Sequence, residues 1–234
     1  MGEYTGLAGS EGLPDSNIPG SDLREAVASC SVCALRGTCR APVPYGGDLG
    51  ALLGVYGEAP GATEDEEGAP FRGASGVLLD RVLLSLGWSR DRCFVSNIVK
   101  CRPPGNKKPE RAYKESCRPH LVRELRSGRF RVLLALGDTA ISALTGERGA
   151  VSAFLPREDL ACALGGRTLP VVACYHPAYI LRKRSEGADA YRAAMLSFAA
   201  QVRRAVVLAS QDDAHVSDGE SQVGPQGQQV LPQP

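Results

Sequence analysis

Short apolar runs that suit buried strands alternate along this chain with segments whose apolar residues have helical spacing. The strand-like runs are Ala51–Tyr56, Cys93–Val99, Arg131–Leu136 and Thr168–Cys174. The helix-like segments are Ser75–Leu86, Pro109–Arg126, Asp138–Leu144 and Ala188–Leu208. Strands that alternate with helices are typical of proteins in which helices pack on a mainly parallel sheet. The alternation therefore predicts an α/β sandwich.

Polar or glycine-rich segments follow the ends of three of these strands. They are Gly57–Asp65, Asn97–Asn106 and His176–Tyr179. In an open parallel sheet the ligand site lies beyond the carboxyl ends of the strands. We therefore expect the three segments to contribute to one site. After the remaining strand, Gly137 is expected to end the strand and Asp138 to cap the next helix.

The charge of the chain is concentrated in its middle. Residues 1–20 and 206–234 carry seven acidic side chains and no Lys or Arg, which leaves 27 basic and 19 acidic side chains in residues 21–205, a charge of +8. A basic body favours a polyanionic partner, nucleic acid first, although a solvated basic surface is the alternative. The polar ends predict disordered tails at residues 1–20 and 209–234.

Eight cysteines are many for a chain that shows neither a membrane-length apolar run nor a signal-peptide pattern. These absences predict a soluble cytoplasmic protein, in which a metal site is favoured over a disulfide framework. Cys30 and Cys33 form a CxxC pair, which Cys101 and Cys117 would complete as a zinc or iron–sulfur site, with Cys39 as a rival ligand. Four unrelated core thiols are the alternative. The cysteines interpreted as core residues are Cys93, Cys162 and Cys174.

Candidate chemical groups are present in each of the segments at the strand ends. Glu58 and Glu64 supply carboxylates that could position water or accept a base N–H, although a plain acidic turn is the alternative. His176, fixed by the following proline, is a candidate donor to developing negative charge, although a lone histidine is more often structural. Asn97 offers a donor and an acceptor that match a pyrimidine edge, although such an asparagine often only caps a strand.

Taken together, these residues resemble the family-4 uracil-DNA glycosylases. The stretches that carry the resemblance are GEAPGATEDEEGAPFRGASG (57–76), SNIVKCRPPGNKKP (96–109) and HPAYILR (176–182), with Cys30, Cys33, Cys101 and Cys117. They occur in the family's order over about residues 25–205. The resemblance implies a three-layer αβα sandwich with a central four-stranded, mainly parallel sheet, in a domain spanning residues 21–208. It also implies a 4Fe–4S cluster on those four cysteines, with Cys39 elsewhere.

The resemblance further implies a pocket for a uracil flipped out of DNA, whose N-glycosidic bond is hydrolysed. In that pocket Phe71 would stack on uracil, Asn97 would bind its edge, and Glu64 would crowd the position of a thymine methyl group. His176 would donate to uracil O2. Glu58 and Asn106 would help to organise the site and the attacking water. The best-known branch of the superfamily has a water-activating carboxylate at the position of Ala59 in this chain. The resemblance therefore does not assign the residue that activates water.

DNA is the partner that the resemblance implies, bound by a monomer. Basic side chains would neutralise phosphates, and an apolar wedge at Tyr179–Leu181 would enter the duplex. The expected contacts are Lys100, Arg102, Lys107, Lys108, Tyr179, Ile180, Leu181 and Arg182. Two rival functions keep parts of this interpretation. One is a catalytically inactive superfamily member that acts as a DNA-binding or replication-accessory protein, and the other is a zinc or iron–sulfur interaction module without DNA chemistry.

Overall fold

A six-stranded sheet runs through the protein, for which the computed structural model describes residues 20–211. The strands are β1 (Gly46–Gly47), β2 (Leu53–Gly57), β3 (Cys93–Asn97), β4 (Val132–Leu136), β5 (Ala161–Leu164) and β6 (Arg167–Cys174). Their order is β1-β3-β2-β4-β6-β5. The four central strands are parallel to one another, and β1 and β5 pair antiparallel at the two edges. The predicted mainly parallel sheet is confirmed.

The predicted strand count of four was too low because both edge strands have weak sequence signals. β1 consists of two glycines, so it has no side-chain alternation to detect. β5 is four residues long and turns back into β6 through Gly165 and Gly166, which both have positive φ. Tight hairpins of this kind need residues that tolerate positive φ, and glycine does so without steric cost.

Helices cover both faces of the sheet and give three layers. They are α1 (Gly20–Ala28), α2 (Ala62–Glu67), α3 (Ala74–Ser85), α4 (Arg111–Ser127), α5 (Asp138–Thr145), α6 (Val151–Phe154), α7 (Pro177–Arg182) and α8 (Ala188–Ser210). Apolar side chains from α3, α7 and α8 pack on one face, and those from α1, α4, α5 and α6 pack on the other. Strands covered on both sides become continuous apolar runs. This is why all five residues of β2, β3 and β4 are buried.

Each of the four predicted helices differs from the observed helix by one or two residues at one end or both. The N-cap of α5 is Gly137, with φ 90°, and Asp138 is the first residue of the helix, so the predicted cap was wrong by one residue. α8 continues to Ser210, two residues beyond the predicted end. The two tail predictions fall largely on residues 1–19 and 212–234, which lie outside the described residues.

One helix of the described part, α8, is long and apolar enough to cross a membrane by length and composition alone. Its residues Phe198, Val202 and Ala205 are fully buried against the sheet. A core helix of a globular protein meets the same criterion, and one face of α8 packs in the core in this way.

His120 generates a prediction about acid stability. It lies on α4 with 8% of its surface exposed, and burial lowers its pKa to about 4, helped by the positive charges of Lys100 and Arg123. The native state therefore keeps His120 neutral while the unfolded chain takes up a proton below its ordinary value of about 6.5. Stability from this group is present above about pH 6.5 and is lost as the pH falls towards 4.

We expect His120 to reduce the free energy of unfolding by about 2 kcal/mol between pH 8 and pH 5. Urea unfolding of the parent and of His120→Gln at both pH values measures this difference. The variant should lose correspondingly less stability on acidification, because glutamine does not titrate. Equal losses for the two proteins would contradict the buried, neutral state of His120.

Candidate active site

A cavity of about 810 Å³ opens at the carboxyl ends of the central strands. The predicted site residues in its wall are Glu58, Glu64, Phe71, Asn97, Asn106, Lys107, His176, Tyr179 and Arg182. The structure thus brings the three predicted segments together, as expected from the strand ends. Leu136 and Gly137, at the end of β4, and Val151, on α6, also line the cavity and were not predicted. They carry no unusual chemistry, so the sequence offered no signal for them.

Gly57 permits the closest packing in the cavity wall. It ends β2 and is paired with Asn97, which ends β3. A Cβ atom on Gly57 would lie 2.6 Å from Asn97 Oδ1 and 2.6 Å from Phe71 Cζ. Side chains do not approach so closely, so only glycine lets the amide and the aromatic ring meet at this strand end. Phe71 itself has φ 54°, a left-handed conformation that is rare for an aromatic residue.

His176 is a neutral hydrogen-bond donor in this site. Its Nδ1 accepts a hydrogen bond from the backbone N–H of Ala178 at 3.1 Å, so the proton of the neutral ring resides on Nε2. Burial lowers the pKa of His176 to about 4, with the positive charge of Arg182 acting in the same direction and Glu64 opposing it. The His176 ring lies 6.0 Å from the Phe71 ring, with the two planes 28° apart.

Glu64 holds the loop that forms one side of the cavity. Its Oε2 accepts from the backbone N–H of Gly61 at 3.0 Å, and its Oε1 accepts from those of Arg72 and Gly73 at 2.8 and 2.7 Å. The side chain is 8% exposed and caps α2 from within. Because both carboxylate oxygens already have donors, the main work of this carboxylate is to organise the loop that carries Phe71.

Glu58 is held by a residue that the sequence analysis missed. Its Oε2 accepts a hydrogen bond from the hydroxyl of Thr139, which is 1% exposed near the start of α5. The only sequence signal for Thr139 was its place just after a strand end. Asn106 lies at the exposed rim of the cavity with φ 54°, and its Oδ1 accepts from Arg102 Nε at 2.7 Å.

Two predicted DNA contacts are wrong because their side chains are buried. Lys100 is 1% exposed, and its ammonium group lies 2.7 and 2.9 Å from the two carboxylate oxygens of Glu124. Ile180 is 0% exposed and forms the buried side of α7, so it cannot enter a duplex. Its neighbours Tyr179 and Leu181 are half-buried, and Tyr179 stacks on Tyr175 with ring centroids 4.6 Å apart.

The remaining predicted cations lie at or near the surface around the cavity mouth. Lys107, Lys108 and Arg182 are exposed, and Lys108 forms an ion pair with Asp138, which also lines the cavity. A smaller cavity of about 280 Å³ lies beside it. The basic residues in the wall of the smaller cavity are Lys108, Arg111, Lys114 and Arg148. The basic surface beside the main cavity therefore includes Arg111, Lys114 and Arg148 in addition to the expected DNA contacts.

Five cysteines collect next to the segment that follows β3. Buried Cys101 and Cys117 pack with partly buried Cys33 and Cys39, and Cys30 is close enough to influence the pKa of Cys117. Burial raises the pKa of Cys101, and neighbouring Cys39, Cys117 and Cys33 raise it further. The expectation that Cys39 lies elsewhere is wrong, because its loop returns to Cys101.

The arrangement of these thiols is looser than a single-ion site. Within residues 20–211, no group of three or more His, Cys, Asp or Glu side chains is arranged to hold one metal ion. The other three cysteines are buried in the two main cores, as predicted. Burial raises the pKa of Cys93 to about 11 and that of Cys162 to about 12, so both remain thiols.

Comparison with known proteins identifies the family of this chain. Residues 44–200 match the profile of the family described as the uracil DNA glycosylase superfamily. The type-4 uracil-DNA glycosylase of Pyrobaculum aerophilum is 37% identical over 69% of this chain. Those of Archaeoglobus fulgidus and Thermotoga maritima are 34% and 35% identical over 68% and 70% of it. Since the alignments cover 84%, 82% and 83% of these three relatives, the chain belongs to the uracil-DNA glycosylase superfamily.

Proposed function

We propose that this protein is a DNA-repair enzyme that flips uracil out of DNA and hydrolyses its N-glycosidic bond, leaving an abasic site. The observation that carries the proposal is the convergence of Phe71, Asn97 and His176 on one cavity at the strand ends. Three relatives that share most of their length with this chain bear the name type-4 uracil-DNA glycosylase. A catalytically inactive DNA-binding protein would not need a neutral histidine donor in the cavity wall.

Base recognition in this proposal rests on Asn97 and Phe71. The Asn97 amide can donate to uracil O4 and accept from N3–H, whereas cytosine presents a donor and an acceptor in the opposite places. Phe71 offers an apolar face on which a flipped base can stack. Glu64 lies in the same wall, where its fixed side chain would crowd the extra methyl group of thymine.

Bond cleavage leaves negative charge on uracil, and His176 is placed to stabilise that charge. The Nε2–H of a neutral ring donates a hydrogen bond to O2 as the charge develops. Glu58, held by Thr139, supplies a carboxylate that can orient water and favour the cationic sugar. Asn106 at the cavity rim offers a further polar group for this water.

DNA binding is assigned to the exposed and partly exposed cations around the cavity. Neutralisation of phosphates by Arg102, Lys107, Lys108 and Arg182 would fix the duplex over the site. Tyr179 and Leu181, with Ile180 as their buried anchor, would provide the apolar wedge that offsets the unstacking cost of a few kcal/mol. We assign the protein to the cytoplasm and expect it to act as a monomer.

The cysteine group fits a 4Fe–4S cluster held by Cys30, Cys33, Cys101 and Cys117. A 4Fe–4S cluster and a structural zinc site can each take four thiolates, and the similarity of this chain to type-4 uracil-DNA glycosylases favours the cluster. The cluster would hold the segment after β3 against α4 and the N-terminal segment. Cys39, which lies at Cys101, is the competing fourth ligand.

The proposed activity is tested with oligonucleotides that carry U:G, U:A, T:G or single-stranded uracil. The purified protein should release uracil and leave alkali-labile abasic sites, and it should leave T:G intact. DNA binding without base release would instead support the inactive relative. No binding to any of these DNAs would support the interaction module.

His176→Ala should slow single-turnover uracil release about a hundredfold to a thousandfold, because one preorganised hydrogen bond to a developing anion is worth about 2.7–4 kcal/mol. Binding to uracil-free duplex should stay within about twofold of the parent. The rate of the parent should show no inflection from this residue near pH 6.5, since burial holds its pKa at about 4. Unchanged uracil release by the variant would remove His176 from the leaving-group role.

Serine substitutions distinguish the cluster ligands. Cys101→Ser and Cys117→Ser should abolish the brown colour and lower bound iron from about four atoms per chain, because each removes a thiolate ligand. Cys39→Ser should keep both, and Cys162→Ser, in a distant core, is the matched control. Iron analysis and visible absorption are the measurements. Loss of iron in Cys39→Ser but not in Cys30→Ser would show that Cys39, and not Cys30, is the fourth ligand.

A further inference from the structure

A fully buried ion pair lies directly behind the proposed base-reading residue. Lys100 and Glu124 are each 1% exposed, and Lys100 Nζ lies 2.7 Å from Glu124 Oε1. The same ammonium donates to Ser96 Oγ at 2.8 Å and to the backbone carbonyl of Asn97 at 2.7 Å. All three N–H donors of the ammonium therefore have acceptors, and one of them donates to the main-chain carbonyl of Asn97.

Stability alone is a weak reason for such a pair. Taking two charges out of water carries a large desolvation penalty, and apolar replacements of similar volume are often neutral or stabilising. The pair instead fixes geometry, because an ammonium with three fixed acceptors tolerates little displacement of any of them. The acceptor that bears on function is the carbonyl of Asn97.

The main chain around Asn97 depends on this contact. Beyond the end of β3, the backbone N–H groups of Ile98 and Val99 donate to the carbonyls of Gly57 and Glu58 at 2.9 and 3.0 Å. The chain then turns, and the side chain of Lys100 returns to the Asn97 carbonyl. The main chain of Asn97 is thus held against Gly57 on one side and by Lys100 behind it, which limits where its side-chain amide can lie in the cavity wall.

The other end of the pair belongs to the helix that carries a proposed cluster ligand. Glu124 and Cys117 are seven residues apart on α4, a spacing of two turns that puts them on one face. The backbone N–H of Lys100 contacts the Cys117 thiol, while its side chain reaches Glu124. The ion pair and the collected cysteines therefore join the same two segments, which are the residues after β3 and α4.

We propose that Lys100 and Glu124 are positioning residues that hold the Asn97 amide in register for uracil, an inference that rests on the proposed function for its substrate. They touch neither base nor sugar. Displacement of a binding group by a fraction of an ångström weakens recognition strongly, so loss of the pair should impair uracil binding and release more than it impairs folding.

The test is the double substitution Lys100→Met/Glu124→Leu, which removes both charges and keeps the volume. We expect the variant to fold with an unchanged iron content, because the desolvation cost of two buried charges disappears while the Ser96 hydroxyl and the Asn97 carbonyl lose a donor. Single-turnover uracil release should fall at least tenfold, and the dissociation constant for free uracil should rise at least tenfold. Binding to uracil-free duplex should stay within twofold. Val202→Ala, a core change in α8, is the control that lowers the unfolding temperature without changing uracil affinity.

A readout that needs no catalysis separates this proposal from the proposed function. The side-chain amide signal of Asn97, assigned by its loss in Asn97→Ala, should shift and broaden in the double variant. If the parent releases no uracil, the proposed function fails, and this signal still decides the positioning role. Should the double variant not fold, Glu124→Gln, which keeps the shape of the pair, should show a smaller change in the same direction. A folded variant with an unmoved Asn97 signal and uracil release within twofold of the parent would overturn the proposal.

Discussion

The parallel pairing of β2 with β3 ends on Gly57 and Asn97, and the cavity is built outward from that pair. Without a side chain at Gly57, the amide of Asn97 and the ring of Phe71 approach to distances that any Cβ would block. Glu64 then fixes the loop that returns Phe71 to this point. A site of the size of a base at the strand ends therefore follows from the pairing of Gly57 with Asn97 and from the absence of a side chain on Gly57.

The surroundings of the cavity set the charge state of His176 and the orientation of Glu58. His176 is kept neutral by burial and given one tautomer by the backbone N–H of Ala178. Glu58 has its carboxylate turned towards Thr139. A neutral donor and a fixed carboxylate suit a reaction in which one product leaves as an anion and the sugar becomes cationic, because each developing charge meets a prearranged partner.

Basic residues in one sequence segment have two different roles. Lys100 is buried in an ion pair with Glu124, whereas Lys107 and Lys108, a few positions later, are exposed beside the cavity. By composition alone, all three contribute equally to the positive net charge of residues 21–205. Their roles separate because the chain leaves the sheet after Asn97, passes under α4 and only then reaches the surface.

The sequence by itself determined the α/β class, the four parallel strands and the three strand-end segments that meet at the cavity, since apolar periodicity and strand-end motifs are local patterns. It did not reveal the edge strand β1, because two glycines carry no pattern. It did not separate buried Lys100 and Ile180 from exposed neighbours, nor place Cys39 beside Cys101, nor identify Thr139 as the partner of Glu58. These depend on which distant segments pack together, and burial is decided only when helices and loops close over the sheet.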